Sequence, residues 1–353
     1  MRAPGWNMKH LSNGNRRPRF ALSTFSHVHL VSVFLSFSSG FMGGWYAQLN
    51  RKPVYFNLQV SSSERHEQNS STMARIYSEY LSEERLLGLA DQHRERFQNA
   101  DPFPHVYIDD FLEPNFVRAV EDEFASTSFG ELCKSQPKTS GKNQKKKVHC
   151  FHKAGDENEG KKTAVLDESV MGPNTRAVFG LLKTSLFVEF LERLTGIDDI
   201  IPDPHYRGSG LHQTEPGGFL RVHADFNRYE RFGLDRRVNV FLFLNEGWDT
   251  GWGGALELWP RDMSSCKQKI QPLFNRLVIF RTTDFSYHGY TDPIRSPFPR
   301  RSVSMYYYTN GRPAEEKIDP DKDAHAHSTL WQKVSCAMQS DDALTPKCMT
   351  SRR

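Results

Sequence analysis

No Asp or Glu occurs in the first 63 residues; the first carboxylate is Glu64. Seven of the 46 Lys and Arg lie in that stretch, which leaves 39 basic against 42 acidic side chains for the rest. The formal charge of +4 over 353 residues is therefore a basic leader on a near-neutral body. That body lacks the surplus of cations that phosphate binding demands, which argues against nucleic acid as its partner. No internal repeat period is visible, so solenoids and propellers drop out. Cysteine is scarce: Cys133, Cys150, Cys266, Cys336 and Cys348 show neither a Cys-x-x-Cys nor a Cys/His zinc spacing. Apolar and aromatic residues are not lacking, at 37% and 12%, enough to bury a core and to exclude disorder throughout.

The leader reads as an address. Residues 28–47 form a twenty-residue stretch without charge, the length of a bilayer-spanning helix, although four Ser, three Gly and His29 dilute it. Five basic residues precede it and two follow, so the positive-inside rule predicts a cytosolic N-terminus. The expectation is a single-pass type II signal anchor with the body in the lumen of the ER or Golgi. A cleaved signal peptide or an organelle transit peptide are the other readings of an acid-free leader, leaving the body secreted or organellar. Asn69-Ser70-Ser71 is a glycosylation sequon, and Cys133–Cys150 and Cys336–Cys348 are candidate disulfides with Cys266 left free. Five ordinary thiols are the alternative.

Along the chain, residues 1–52 are the leader and 53–72 a polar, Ser-rich stem. Residues 73–210 read as helical support, with helices predicted over 74–98, 114–126 and 173–195 and a short strand over 105–111. Within it, residues 134–162 carry nine Lys against three acids, read as a solvated insertion or a docking surface for an acidic partner. From residue 211 short β-type runs follow one another over 219–224, 237–245, 255–259, 269–281 and 301–309, separated by Gly/Pro turns. The class is α+β, with helices first and an antiparallel sandwich or barrel over 211–313. Residues 314–353 read as a polar surface tail.

The β-rich part contains His223-Ala224-Asp225. Residues i and i+2 of a strand face the same way, so both side chains point together. Alone this is a weak signal. A distant His288 after the run 276–281 would complete a two-His, one-carboxylate set, which occupies one face of a non-haem Fe(II) and leaves the other open. Thirteen residues on, Arg301 heads a β run, where a buried guanidinium would need an anion such as a carboxylate. His325-Ala326-His327 with Asp321 and Asp323 lies in the polar tail and reads as solvated surface. Trp248, Trp252 and Trp259 read as packing or turn residues.

In order, spacing and residue type, these runs resemble the catalytic core of the 2-oxoglutarate/Fe(II) dioxygenases, prolyl-hydroxylase-like group. The matching runs are 217–226 (GGFLRVHADF), 237–245 (RVNVFLFLN), Trp248 with 253–259 (GGALELW), 275–280 (NRLVIF), His288-Gly289 and Arg301-Ser302. Residues 103–111 (FPHVYIDDF) extend the likeness towards the N-terminus. The resemblance implies a double-stranded β-helix, or jelly roll, with supporting N-terminal helices. It implies an enzyme that hydroxylates a C–H bond, with Fe(II), 2-oxoglutarate and O2, and ascorbate as reductant. His223, Asp225 and His288 would be the catalytic iron ligands, and Arg301 would pair with the distal carboxylate of 2-oxoglutarate. The family's Tyr on the strand after His-x-Asp is missing; Asn239 is the candidate in its place, a structural amide the alternative. A peptidyl proline is the implied substrate, with a free amino acid, a glycan or another metabolite as alternatives. A non-catalytic jelly-roll binding module would lack a ligand or the anion-binding base, and an isomerase or dioxygenase without 2-oxoglutarate would not need Arg301.

Overall fold

Capping residues start the helices of the N-terminal half. In the computed structural model, which describes residues 74–127, 133, 150–319 and 326–333 and the backbone of 335–336 and 348–349, a π-helical turn Ile76–Tyr80 precedes helix α1 (Glu83–Gln98). Ser82 caps α1 by accepting the amide of Arg85, and so splits the single helix predicted over 74–98. Strand β1 (His105–Ile108) leads to α2 (Pro114–Ser126), which has the predicted bounds. There the Glu113 carboxylate accepts the amide of Phe116 at 2.7 Å and Pro114 occupies the first turn. The predicted helix 173–195 is two, α3 (Pro173–Leu181) and α4 (Ser185–Thr195), because extended Thr184 caps the second through the Phe187 amide. Gly196, at φ +68°, ends α4 in the left-handed region that favours glycine.

The Lys-rich segment is not wholly a solvated insertion. Its later part folds as the hairpin β2 (Cys150–Gly155) and β3 (Glu159–Val165), with β3 laid along the barrel. A Cys133–Cys150 disulfide ties β2 down; residues 134–149 lie outside the described residues. The short β4 (Ile201–Pro202) then leads into β5 (Gly210–Ala224), followed by β6 (Arg228–Tyr229), β7 (Leu234–Phe243), β8 (Leu256–Trp259) and β9 (Gln268–Ile270). Strands β10 (Leu277–Arg281), β11 (Tyr287–Tyr290) and β12 (Arg300–Thr309) close the set. The run predicted over 269–281 is thus two strands, divided at Pro272 and at Asn275 with its φ of +58°.

Strand order is β1-β10-β7-β12-β5-β11-β8-β9, all antiparallel. One strand belongs to both walls. Residues 210–214 of β5 pair with β12, and its far end pairs with β11. Between them Gly217 sits at φ +79°, and a Cβ on Gly218 would lie 2.6 Å from the Gly160 carbonyl oxygen. Only a residue without a side chain lets β5 bend there and pass from one sheet to the other. The result is the jelly roll. Helices cover the first sheet, with Phe111, Phe124, Phe187 and Phe190 packed on Val240, Leu242, Val303 and Met305.

The tail does not merely drape. Residues 326–333 cross the free edge of β5 as β13 (Leu330–Trp331), with Trp331 opposite His223. His327 pins this strap by an Nε2 contact of 2.7 Å to buried Asp284, which also pairs with Arg312. The paired strands 335–336 and 348–349 set Cys336 opposite Cys348. The anticipated membrane span at 28–47 and the sequon at Asn69 lie outside the described residues. Among the described residues no helix is long and apolar enough to cross a membrane. The type II anchor with a luminal body, expected from the leader, is corrected on that finding.

Candidate active site

His223 is the second-last residue of β5, and Asp225 follows directly after the strand ends at Ala224, so both turn into the barrel. Strand β11 brings His288 directly opposite His223. The His223 Nε2 lies 3.5 Å from Asp225 Oδ1 and the His288 Nε2 lies 3.5 Å from Oδ2. These ligand atoms all fall within 4.8 Å of one another, and no other such group occurs among the described residues. Each imidazole places Nδ1 on a backbone carbonyl, His223 on Arg221 at 2.8 Å and His288 on Ser286 at 2.9 Å. A proton held there leaves Nε2 as a lone-pair donor towards the common centre. Burial pushes the His288 imidazole down to about 4, with Asp225 opposing it.

Behind the carboxylate stands a buried support. Burial works against ionisation of Asp225, but Arg236 and the two imidazoles hold it well below the usual carboxylate range. Arg236 is 1% exposed; its Nη2 lies 2.9 Å from Asp225 Oδ2. Its guanidinium also sits 3.4 Å from the ring centre of Tyr306. Asn239 donates Nδ2–H to Asp225 Oδ2 at 2.8 Å and accepts the Arg236 Nε–H at 2.9 Å. Both ends of the Asn239 amide are thus engaged behind Asp225. It does not line the cavity and cannot be the co-substrate contact its sequence position suggested.

The cavity is lined by the three ligand residues, apolar Leu220, Phe241, Phe243 and Leu256, and polar Lys162, His212, Thr214, Tyr290, Arg300, Ser302, Ser304 and Tyr306. Arg301 is not among them. Its side chain points to the opposite face of β12, where Nε–H donates to Gln213 Oε1 at 2.9 Å and Nη1 lies 3.9 Å from Glu121 on α2. Arg300 is the inward residue. Its Nε–H donates to the Gly254 carbonyl at 2.8 Å, and its guanidinium lies over Tyr290 at 4.4 Å and Phe243 at 4.8 Å. No carboxylate pairs with it among the described residues, and burial pushes its basicity down, with Tyr290 opposing that shift. A buried guanidinium facing an open cavity without a counter-charge is a place for an anion.

Sequence reasoning therefore missed Arg300, Tyr290 and Lys162. Tyr290 stands two residues after His288, on the same face, and its hydroxyl lies 2.7 Å from that of Thr214. It puts a tyrosine in the cavity from another strand than the one where a tyrosine was sought. Of the tail cluster, His327 is committed to Asp284, and Asp321, Asp323 and His325 lie outside the described residues. Trp248 and Trp259 are buried packing residues, as read from the sequence.

Two imidazole nitrogens and one carboxylate would fill three positions of an octahedral ion and leave three open, a set that suits non-haem Fe(II). Residues 209–308 match the sequence model of the 2OG-Fe(II) oxygenase superfamily. A stretch of 77 residues is 30% identical to prolyl 3-hydroxylase OGFOD1 of Mus musculus, spanning 21% of this chain but only 14% of that protein. Among solved structures, a Pseudomonas putida prolyl-4-hydroxylase is 18% identical, with a TM-score of 0.43, over 64% of this chain and 100% of its own. A Trichoplax adhaerens prolyl hydroxylase, solved with a peptide of the hypoxia inducible factor oxygen degradation domain, is 18% identical with a TM-score of 0.40, over 64% and 91%. These two structural likenesses carry nothing about substrate. The sequence match and the donor set meet on the same strands: residues 209–308, which match the 2OG-Fe(II) oxygenase superfamily, carry His223, Asp225 and His288.

Proposed function

We propose that the chain is an Fe(II)- and 2-oxoglutarate-dependent dioxygenase that hydroxylates a C–H bond of a peptidyl proline. The observation that supports this reading most is the presence, in one cavity, of the His223–Asp225–His288 donor set and of buried Arg300, with which no carboxylate pairs among the described residues. His223, Asp225 and His288 would hold the iron, which with 2-oxoglutarate and O2 supplies the oxidising chemistry when bound. The chain's own part is positional. The carbonyls of Arg221 and Ser286 fix the two ring orientations. Arg236 and Asn239 keep Asp225 ionised and aimed. Arg300 would take the distal carboxylate of 2-oxoglutarate, and Leu220, Phe243 and Leu256 exclude water from the reacting centre.

Proline as the substrate rests on the likeness to the mouse prolyl 3-hydroxylase over 77 residues. The test uses the full chain loaded with Fe(II). Consumption of 2-oxoglutarate should yield succinate, and proline-bearing peptides should gain the mass of one oxygen atom. His223→Ala should lose metal binding by calorimetry together with turnover. Oxygen insertion into a free amino acid or a glycan, and into no peptide, would overturn the substrate but not the chemistry. Absence of both metal binding and 2-oxoglutarate turnover would overturn the enzyme.

A further inference from the structure

We propose that Lys162, delivered by the β2–β3 hairpin, is a second co-substrate-binding residue that grips a dicarboxylate together with Arg300. The inference rests on the dioxygenase reading and adds to it a residue from outside the barrel strands. Register gives the geometry. Lys162 lies opposite Thr214 on one side of β5, and Arg300 lies opposite Thr214 on the other. The three form one cross-strand row, and all three line the cavity. With strands about 4.8 Å apart, the two cations rise from backbones about 10 Å apart, within reach of a common ligand. Between them stand the joined hydroxyls of Thr214 and Tyr290.

Charge supports the same assignment. Asp225, the carboxylate that lines the cavity, is engaged by Arg236 and Asn239. Lys162 is 14% exposed and pairs at 3.6 Å with Glu159, which also meets Lys153. An ammonium carries three donors, so that pairing is compatible with a further anion. Burial works against its charge, but Tyr290, Glu159, Tyr306 and Asp225 outweigh burial and favour the ammonium form. The two oxygens of one distal carboxylate can meet Arg300 and Lys162 together, which leaves the other end of the dicarboxylate for the metal side of the cavity.

The test is calorimetric titration of 2-oxoglutarate into the manganese-loaded full chain, without O2. Lys162→Met should weaken 2-oxoglutarate binding by about 10- to 100-fold, the range for a lost charged hydrogen bond. Lys162→Arg should keep affinity within a few fold, and the manganese content of all variants should match the unaltered chain. Lys162→Gln, which keeps a donor without charge, is titrated in parallel and decides the matter should the Met variant not fold. A Met or Gln variant that binds 2-oxoglutarate as the unaltered chain does would overturn the role of Lys162 and leave the dioxygenase reading standing. An unaltered chain that binds manganese but no 2-oxoglutarate would overturn both.

Discussion

Asp225 Oδ2 receives Asn239 Nδ2–H and the Arg236 guanidinium at once, so one ligand oxygen is oriented by two buried groups. Such outer partners commonly change metal affinity by ten- to a hundredfold. Asn239→Ala should therefore weaken metal binding by about tenfold or more, without a direct effect on 2-oxoglutarate; metal titration of the variant checks both. The neighbouring arginines of β12 should separate cleanly. Arg300→Met should raise the 2-oxoglutarate concentration needed for half-saturation by at least tenfold, while Arg301→Met, whose side chain meets α2 instead, should leave it unchanged. Asp284 supplies a pH effect. Burial opposes its ionisation, but His327, Arg312 and the Ile318 amide pull its carboxyl down to about 2. A depressed carboxyl contributes stability above its unfolded value near 4, and that contribution is lost as pH falls through its folded value. Replacement by Asn should remove about 2 kcal/mol at neutral pH and flatten the acid limb between about pH 4 and about pH 2, read by denaturant melts across pH.

Strand β12 shows why the inward arginine was not legible before the fold. Its two faces are Arg300, Ser302, Ser304, Tyr306 and Arg301, Val303, Met305, Tyr307. The apolar second set packs outward against the helices, while the polar first set lines the cavity. A burial rule drawn from the sequence puts the apolar face inside, but in a barrel clad by helices that face looks out, and the polar one encloses the chemistry. The same wall made His-x-Asp legible, since i, i+2 spacing is independent of which face is which. Lys162 was hidden differently: one lysine among nine in a charged run gives no periodicity, and only the pairing of β3 with β5 singles it out. Strand β5 carries its own vulnerability at the bend. A methyl on Gly218 would meet Thr214 Cγ2 at 2.4 Å and the Gly160 carbonyl oxygen at 2.6 Å. Gly218→Ala should cost about 1–3 kcal/mol and disturb the registry of Thr214 with His223, seen as a lower melting temperature with weaker metal binding.

For the molecule as a whole, the order of elements was readable and their joints were not. The helices-then-strands arrangement followed from hydrophobic period and Gly/Pro punctuation, whereas the breaks at Ser82 and Thr184 depend on caps that the apolar pattern runs straight through. Cys133–Cys150, one of the two pairings anticipated, anchors the hairpin that carries Lys162. Changing both to Ser should lower stability by about 3 kcal/mol, the loop-closure value for a separation of this size, and denaturant unfolding of the variant measures it. Cys266 is left as a half-buried thiol whose acidity burial weakens, to about 11, so it makes a poor thiolate nucleophile. The strap adds a statement about time. A chain is synthesised from its N-terminus, so His223, Asp225 and His288 all precede the residues that cover their edge. Until residues 326–333 emerge, β5 offers unpaired backbone at Val222 to Ala224, where Leu330, Trp331 and Gln332 later lie. Chains cut short before that point would carry the whole donor set with its rim exposed, a surface open to strand pairing with another nascent copy. This strap, made only after the whole donor set, is thus the strand that gives each newly made molecule a finished edge.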